Sequence, residues 1–574
     1  MQLETRPYLK DTTVENPVAR RIWRSKYQYR SKGRIIDQHV AHTWKRVAQG
    51  LAAAETPDKR AAIEAQFYDA MSSYRLLPGG RILSGCGTAR HVTLSNTFVM
   101  RTIPDSVEGI MDTAKQAALT MKMGGGIGFD FSTVRPKGGY VKGLDCAAAG
   151  PLAAMEICDA VCKMVLSGMG RGAMMATLRC DHPDIEAFIT AKEDSTRLRN
   201  FNVSVLVTDP FMEAVHKDED WDLIWNGWCV RTVKARELWQ MILRKSYESA
   251  EPGVLFIDRI NALNPLNYLE EISSTNSCAE QPLPPNGTCP LASINLARLV
   301  HAPFQPAAAL DLDELRRLAA IAVRMLDNAI DISEFAVHEQ EQEAKGKRRI
   351  GVGVTGLADA LIMLGVRYGS DEAAKHVSRW MRTLQNAAYL ASANLAAERG
   401  AFPLYDRTRH QKHATIQKLD PEVRQAIMRH GLRNGLLTTV APTGTTSMYA
   451  GNVSSGIEPV FAISYKRAFT KADGSKTIQN VEDYAVWLYR QLFGPDADLP
   501  DAMVTAMELD PHEHVAMQAA AQAWVDSAIS KTVNCPEDIT FEQFEHVYMK
   551  AYESGCKGCT TFRPNPITGS ILSV

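Results

Sequence analysis

Residues 273–296 read S-S-T-N-S-C-A-E-Q-P-L-P-P-N-G-T-C-P-L-A-S-I-N-L. Asn276, Cys278 and Glu280 stand at alternate positions, so an extended backbone would turn all three side chains to one face. An amide, a thiol and a carboxylate then form one compact chemical set. The thiol can carry a nucleophile or a radical, the carboxylate can take a proton, and the amide can hold a hydroxyl. Pro282, Pro284 and Pro285 rule out a helix directly afterwards and favour a stiff loop. A second thiol, Cys289, follows. Taken alone, the segment is equally readable as a buried cysteine in a proline-rich turn.

The 574 residues are 45% hydrophobic and 22% charged, an ordinary globular balance. That length suggests about three or four domains unless one large barrel takes up the chain. A net charge of −1 gives no reason to expect a nucleic-acid partner. No run of about 18 apolar residues exists, so no membrane span is expected. The opening M-Q-L-E-T-R-P-Y-L-K-D lacks the apolar core of a signal peptide. The 11 cysteines are irregularly spaced, which with no export signal points to a reducing cytoplasm and free thiols.

Residues 1–75 form a helical N-terminal segment, with surface helices over 40–55 and 59–74. Its basic cluster of Arg20, Arg21, Arg24 and Arg30 reads as a solvated face. The texture changes at L-P-G-G-R-I-L-S-G (77–85), and 92–100 alternates like a strand. Three glycines at 124–126 allow either a close approach to a ligand or a tight helix–strand connection. Residues 151–164 and 184–192 read as helices and 201–209 as a strand. Arg171 and Arg197 sit in polar loops that could grip a phosphate or simply be surface. Residues 313–331 form an amphipathic helix with Asp311 and Glu314 at its start. Gly351, Gly353 and Gly356 match G-x-G-x-x-G, but no acidic strand end follows at the distance a nicotinamide ribose needs, so packing is the better reading. Residues 372–399 and 421–430 are helical. Residues 436–459 run strand, hydroxyl-rich turn, then helix, and Thr443 to Ser447 make an anion site at the helix start. Residues 514–529 read as a helix. Cys556 and Cys559 form a lone C-x-x-C without a second pair, so strand packing outranks zinc, and no metal site is assigned. Strands alternating with helices define an α/β protein.

Several segments together resemble one family. N-S-C-A-E, C-P-L-A-S-I-N-L, A-P-T-G-T-T-S, S-S-G-I-E-P and G-C-K-G-C-T-T-F-R-P-N are similar to the large subunit of ribonucleotide reductases, nearest the adenosylcobalamin-dependent class II enzymes. L-P-G-G-R-I-L-S-G, G-G-G-I-G-F-D-F-S-T-V-R-P-K-G and R-G-A-M-M-A-T-L-R-C-D-H-P-D-I-E carry the same likeness, in order, from about residue 70 onward. The resemblance implies a ten-stranded α/β barrel over 76–574 with a loop through its centre. It implies a thiyl radical on Cys278 that abstracts the ribose 3′ hydrogen, proton removal by Glu280, a hydrogen bond from Asn276, and a redox role for Cys289. It implies that Asn96, Thr97, Gly125, Gly126, Ser277 and Ala279 line the sugar site and that Pro442, Thr443, Gly444, Thr445 and Thr446 hold the phosphates. Arg171 and Arg197 would lie in a deoxynucleotide effector region at a homodimer interface. The cofactor would be adenosylcobalamin, the substrate a ribonucleoside diphosphate, and the process DNA synthesis. A D-x-H-x-x-G cobalamin motif is lacking, but the family does without it.

One departure stands out. The family carries a cysteine where this sequence has Thr97, and that cysteine pairs with the position of Cys289 to supply two electrons. Threonine cannot form an S–S bond. Cys86 is the nearest upstream thiol and is not expected to substitute. No cysteine follows Cys559, whereas the family re-reduces its disulfide from a tail pair. Three readings follow: a reductase drawing on an external reductant such as formate, a redox-neutral radical enzyme on a nucleotide-like substrate, or a non-catalytic nucleotide-binding homologue.

Overall fold

A computed structural model of the chain describes residues 16–166, 173–194, 196–470 and 476–564. The N-terminal stretch is helical. Helix Val40–Ala52 buries Trp44, Val47, Ala48 and Leu51, the spacing of one apolar stripe. It packs on helix Pro57–Ser72, where Pro57 starts the first turn and needs no N–H partner.

The main sheet has seven strands. Five of them, Thr97–Val99, Gly126–Asp130, Met174–Arg179, Phe201–Val207 and Gly253–Phe256, run parallel in chain order. Thr288–Cys289 caps one edge antiparallel to Thr97–Val99, and Gly558–Cys559 caps the other antiparallel to Gly253–Phe256. The inner strands read as near-continuous apolar runs because helices cover the sheet. Phe201–Val207, for example, is buried at every position except Asn202. A second parallel group joins Leu291–Asn295 to Gly351–Thr355, and single bridges extend it through Val352–Thr438 and Val440–Ile529. Helices Leu312–Ile332 and Asp371–Arg399 pack together outside this group. Asp311 caps the former, its Oδ1 accepting from Glu314 N at 2.9 Å. The α/β class with a helical N-terminal stretch is thus as the sequence leads one to expect.

Residues 274–283 thread between the two strand groups. Ser274–Thr275 and Pro282–Leu283 pair as a short antiparallel ribbon, and residues 276–281 turn its tip. The first group holds the ribbon closely. A Cβ on Gly128 would lie 1.8 Å from Thr275 O. Thr177 Oγ1 is 3.0 Å from Ser274 Oγ, and Asn202 Nδ2 donates to Ser277 O at 2.8 Å. The second group holds the other flank. Thr439 Oγ1 and Ala528 N both donate to Glu280 O, at 2.7 and 3.0 Å. A Cβ on Gly351 would lie 2.9 Å from Gln281 Nε2, and one on Gly353 2.1 Å from Thr439 O. The glycines of the G-x-G-x-x-G match therefore serve packing, as expected.

Three local expectations are corrected. The strand read over 92–100 shrinks to Thr97–Val99. Ser95 N donates to Thr93 Oγ1 and Leu94 N to Ser333 Oγ, so side chains take backbone groups a ladder would use. The helix over 184–192 is only Ile185–Ile189. The helix over 514–529 is Pro511–Gln522. Beyond it the Asp526 carboxyl accepts from Leu437 N and Thr438 N, which draws the chain into the second strand group.

Gly128→Ala is expected to cost about 1–3 kcal/mol or more, because the clash is with backbone that cannot retreat. Gly444→Ala, where nothing lies within 4 Å, should leave the urea midpoint nearly unchanged. Equal midpoints for the two variants would refute the threading constraint.

Candidate active site

The tip of the ribbon is a turn, and this corrects the extended backbone expected for 276–280. Asn276 and Gln281 close it: Asn276 N donates to Gln281 O at 3.2 Å, and Gln281 N donates to Asn276 Oδ1 at 3.0 Å. Ala279 takes the left-handed conformation at φ +64°, uncommon for a residue other than glycine. Asn276 and Glu280 still converge, because the turn brings the amide into hydrogen-bonding contact with the carboxyl.

Glu280 is buried, and its Oε2 has no partner among the described residues. Burial raises its carboxyl to about 7, against the pull of the Asn276 hydrogen bond. A carboxyl so poised exchanges a proton readily near neutral pH. Cys278 lies deep within the fold, yet its side chain is accessible. The space it meets is a cavity of about 350 Å³ between the strand groups, lined also by Asn202, Ser204, Gly253, Ile529 and Lys557. Burial first, and then the nearby Glu280 charge, push the Cys278 thiol up to about 12. At neutral pH it is S–H and not thiolate. That state is unsuited to nucleophilic attack and suited to giving up a hydrogen atom.

Cys289 is buried on the strand facing Thr97, the two being direct cross-strand partners. Thr97 Oγ1 donates to Cys289 O at 2.9 Å, and Thr288 Oγ1 returns a bond to Thr97 O at 2.9 Å. A hydroxyl thus stands where a second thiol would face Cys289. Cys86 does not replace it: its thiol points to Val47 O at 3.7 Å within the helical N-terminal packing.

The other expected residues fall as follows. A Cβ on Gly126 would lie 3.2 Å from Asn96 O and 3.5 Å from Ser277 Oγ, so Asn96, Gly126 and Ser277 are neighbours. Gly125 is packed under the Phe98 ring. Thr443, at φ +50°, ties its hydroxyl to Thr355 Oγ1 and Gly456 N, both at 2.9 Å. Gly444 and Thr445 are exposed, and the following helix Thr446–Tyr449 is four residues long. Arg197 is on the surface in an ion pair with Glu156, and Arg171 lies outside the described residues. Cys556 and Cys559 are buried, and no group of three potential metal ligands exists among the described residues. No helix among them is long and apolar enough to cross a membrane.

Sequence reasoning missed two buried lysines beside the cavity. Lys531 Nζ meets Glu458 Oε2 at 2.6 Å and His514 Nδ1 at 2.8 Å, and Thr532 O accepts from it as well. Lys557 Nζ donates to Asp526 O and Ser527 O at 2.5 and 2.9 Å, and burial lowers its ammonium to about 8. Lys557 stands among glycines and cysteines in G-C-K-G-C, a weak local signal of burial, whereas Lys531 in S-K-T has hydroxyl neighbours and gives none.

The pattern of the ribonucleotide reductase barrel domain matches residues 95–562, and that of the ribonucleotide reductase all-alpha domain matches 15–91. The chain belongs to the ribonucleotide reductase large-chain family. It is 36% identical to the vitamin B12-dependent ribonucleoside-diphosphate reductase of Thermoplasma acidophilum, over 88% of this chain and 66% of that protein. It is likewise 36% identical to the protein of the same name from Mycobacterium tuberculosis, over 92% of this chain and 76% of that one. The vitamin B12-dependent ribonucleotide reductase of Streptomyces clavuligerus is 27% identical, over 85% of this chain and 58% of its own length.

Ionising Glu280 in its buried site opposes folding. Its carboxyl is raised from 4.5 to about 7, so the fold is favoured below the unfolded value and loses that advantage as pH rises through 7. The loss is on the order of 3 kcal/mol by pH 8. Glu280→Gln should therefore melt higher than the wild type at pH 8 and about level with it at pH 4.5. Equal melting temperatures at both pH values would show that Glu280 is not held as described.

Proposed function

We propose that the chain reduces ribonucleoside diphosphates to 2′-deoxyribonucleoside diphosphates for DNA synthesis, by radical chemistry begun at Cys278 with a B12-type cofactor. The observation that carries this reading is the turn itself. It sets a protonated, accessible thiol beside a buried carboxyl with a free oxygen, at the end of an internal cavity.

The cavity fits the adenosyl part of such a cofactor in size and polarity, with Ser204, Gly253, Lys557 and Thr561 along its wall. A second cavity of about 650 Å³ shares Thr532 and Phe562 with it, which gives room for a larger group outside. When bound, the cofactor supplies the one-electron oxidation of the Cys278 thiol. The remaining roles belong to the chain. The Cys278 sulfur takes the 3′ hydrogen atom and later returns it. Glu280 accepts the 3′-hydroxyl proton through its unpartnered oxygen, and Asn276 holds the Glu280 carboxyl in place. Thr97 hydrogen-bonds the leaving 2′-hydroxyl, and the Cys289 thiol provides a proton as that group departs as water. Asn96, Gly126, Ser277 and Ala279 border the sugar, and the 442–446 turn takes the phosphates. Thr97 removes the disulfide route, so two electrons per turnover come from an external reductant, a small thiol or formate. A deoxynucleotide effector near Arg171 and Arg197, and a homodimer, complete the proposal.

Anaerobic incubation with adenosylcobalamin and each of the four ribonucleoside diphosphates, with dithiothreitol or formate, tests the reading. Deoxynucleotide formation supports it. Cofactor cleavage without deoxynucleotide points to a redox-neutral radical reaction instead, and no cleavage with any nucleotide points to a non-catalytic homologue. Glu280→Gln should abolish product, and the wild-type rate should rise with pH to a plateau above about 7. Thr97→Cys should raise dithiothreitol-driven product roughly tenfold or more, since an intramolecular partner replaces a bimolecular encounter. Unchanged turnover in Thr97→Cys would remove the assigned role of that position.

A further inference from the structure

Two buried carboxyls lie side by side next to Ser454. Asp359 sits in helix Leu357–Met363, and Asp483 caps helix Tyr484–Phe493. Neither is more than 4% exposed. One backbone N–H, that of Ala485, donates to both, at 2.9 Å to Asp359 Oδ1 and 2.9 Å to Asp483 Oδ1. A further hydrogen bond joins the two side chains directly. No lysine or arginine forms an ion pair with either carboxyl among the described residues. The Tyr484 hydroxyl is close by, and Arg298 lies over the Tyr484 ring at 4.8 Å. Tyr465 and Arg467 line the same cavity as Asp483, and Glu482 is turned to Arg490. Two carboxylates so close and so buried cannot both be ionised, and a proton lies between them.

The hydrogen-bond partners indicate which oxygen carries it. Asp359 accepts on both oxygens, Oδ1 from Ala485 N and Oδ2 from Ser454 N at 2.6 Å. Asp483 accepts on Oδ1, from Ala485 N and from Val486 N at 3.4 Å. Its Oδ2 receives no N–H among the described residues, so an O–H there can donate to the Asp359 carboxylate. Burial raises both carboxyls above the ordinary aspartate range, in keeping with a retained proton.

Ser454 passes this arrangement on. Its Oγ accepts from Ala358 N and Asp359 N at 3.1 and 3.3 Å, and its carbonyl accepts from Gly356 N and Thr355 Oγ1 at 2.7 and 2.9 Å. Thr355 Oγ1 meets the Thr443 hydroxyl, which accepts from Gly456 N.

We infer that Asp359 and Asp483 share one proton, carried on Asp483 Oδ2, and that this proton positions Ser454 and through it Thr443. The positioning of Thr443 bears on binding only under the reading of residues 442–446 as the phosphate turn. The proton stands apart from that reading.

The test melts the full chain, Asp483→Asn and Asp359→Asn across a range of pH. The folded pair holds its proton more tightly than the unfolded chain does. Its contribution is therefore full below the ordinary aspartate value and is lost as pH rises through the raised one. Asparagine at 483 reproduces the protonated acid, since its amide donates to Asp359 and its Oδ1 keeps the helix cap. Asp483→Asn should melt level with the wild type near pH 5 and a few degrees above it toward the alkaline end. Asp359→Asn should melt lower at every pH, because either orientation of its amide turns an N–H toward a backbone N–H. The same pH dependence in wild type and Asp483→Asn overturns the shared proton. Equal melting of the two amide variants overturns its placement on Asp483. Titration with a ribonucleoside diphosphate tests the positioning: affinity should fall several-fold with rising pH in the wild type and stay level in Asp483→Asn. A parallel fall in both overturns the positioning role. A wild type that binds no ribonucleoside diphosphate at any pH overturns the phosphate reading of the turn, while the melts still decide the proton.

Discussion

Everything in this molecule depends on a loop passing through a space that has no room for a Cβ. The carbonyl of Thr275 would lie 1.8 Å from a side chain on Gly128, and the Gln281 amide 2.9 Å from one on Gly351. Both strand groups supply a G-x-G at the crossing, G-I-G at 126–128 and G-V-G at 351–353. Backbone contact this close fixes the height of the loop to a fraction of an ångström. Hydrogen bonds to Ser277 O and Glu280 O then fix its rotation. The reactive turn needs no rigidity of its own, because two sheets lend it theirs.

That mounting explains the electrostatics. A loop on the surface would leave Glu280 solvated and ordinary. Held between two strand groups, it keeps the carboxyl buried with one unsatisfied oxygen and the thiol protonated. Stability is given up at this point for chemical readiness. Thr97 shows how local such packing is: at the cross-strand position facing Cys289 it offers a hydroxyl and no sulfur, while the hydrogen bonds to Cys289 O and Thr97 O keep the strand pairing sound.

The sequence made the α/β class readable through its alternating elements, and the helix Leu312–Ile332 through its periodicity and cap. The cluster of Asn276, Cys278 and Glu280 was visible from spacing, though for an incomplete reason: a turn, not a strand, brings the first and last together. Short strands were harder, because the Thr93 and Ser333 hydroxyls divert backbone bonds in ways no propensity reveals. The C-terminal end of helix Pro511–Gln522 was misjudged because Asp526 answers to Leu437 and Thr438, residues distant in sequence. The buried lysines Lys531 and Lys557 were illegible for the same reason. Burial of a charge is a tertiary fact, and Lys531, set between Ser530 and Thr532, carries no local signature of it.

The accessible Cys278 also has a bearing on how this protein withstands its surroundings. Electrophiles and peroxides react with thiolates, and a thiol held up at about 12 offers almost none at neutral pH. The Cys278 sulfur is therefore open to a small ligand and nearly inert toward alkylating labels. Surveys of reactive cysteines would pass over it and report Cys146 or Cys229 on the surface instead. The burial that suits the sulfur to one-electron chemistry shields it from two-electron damage.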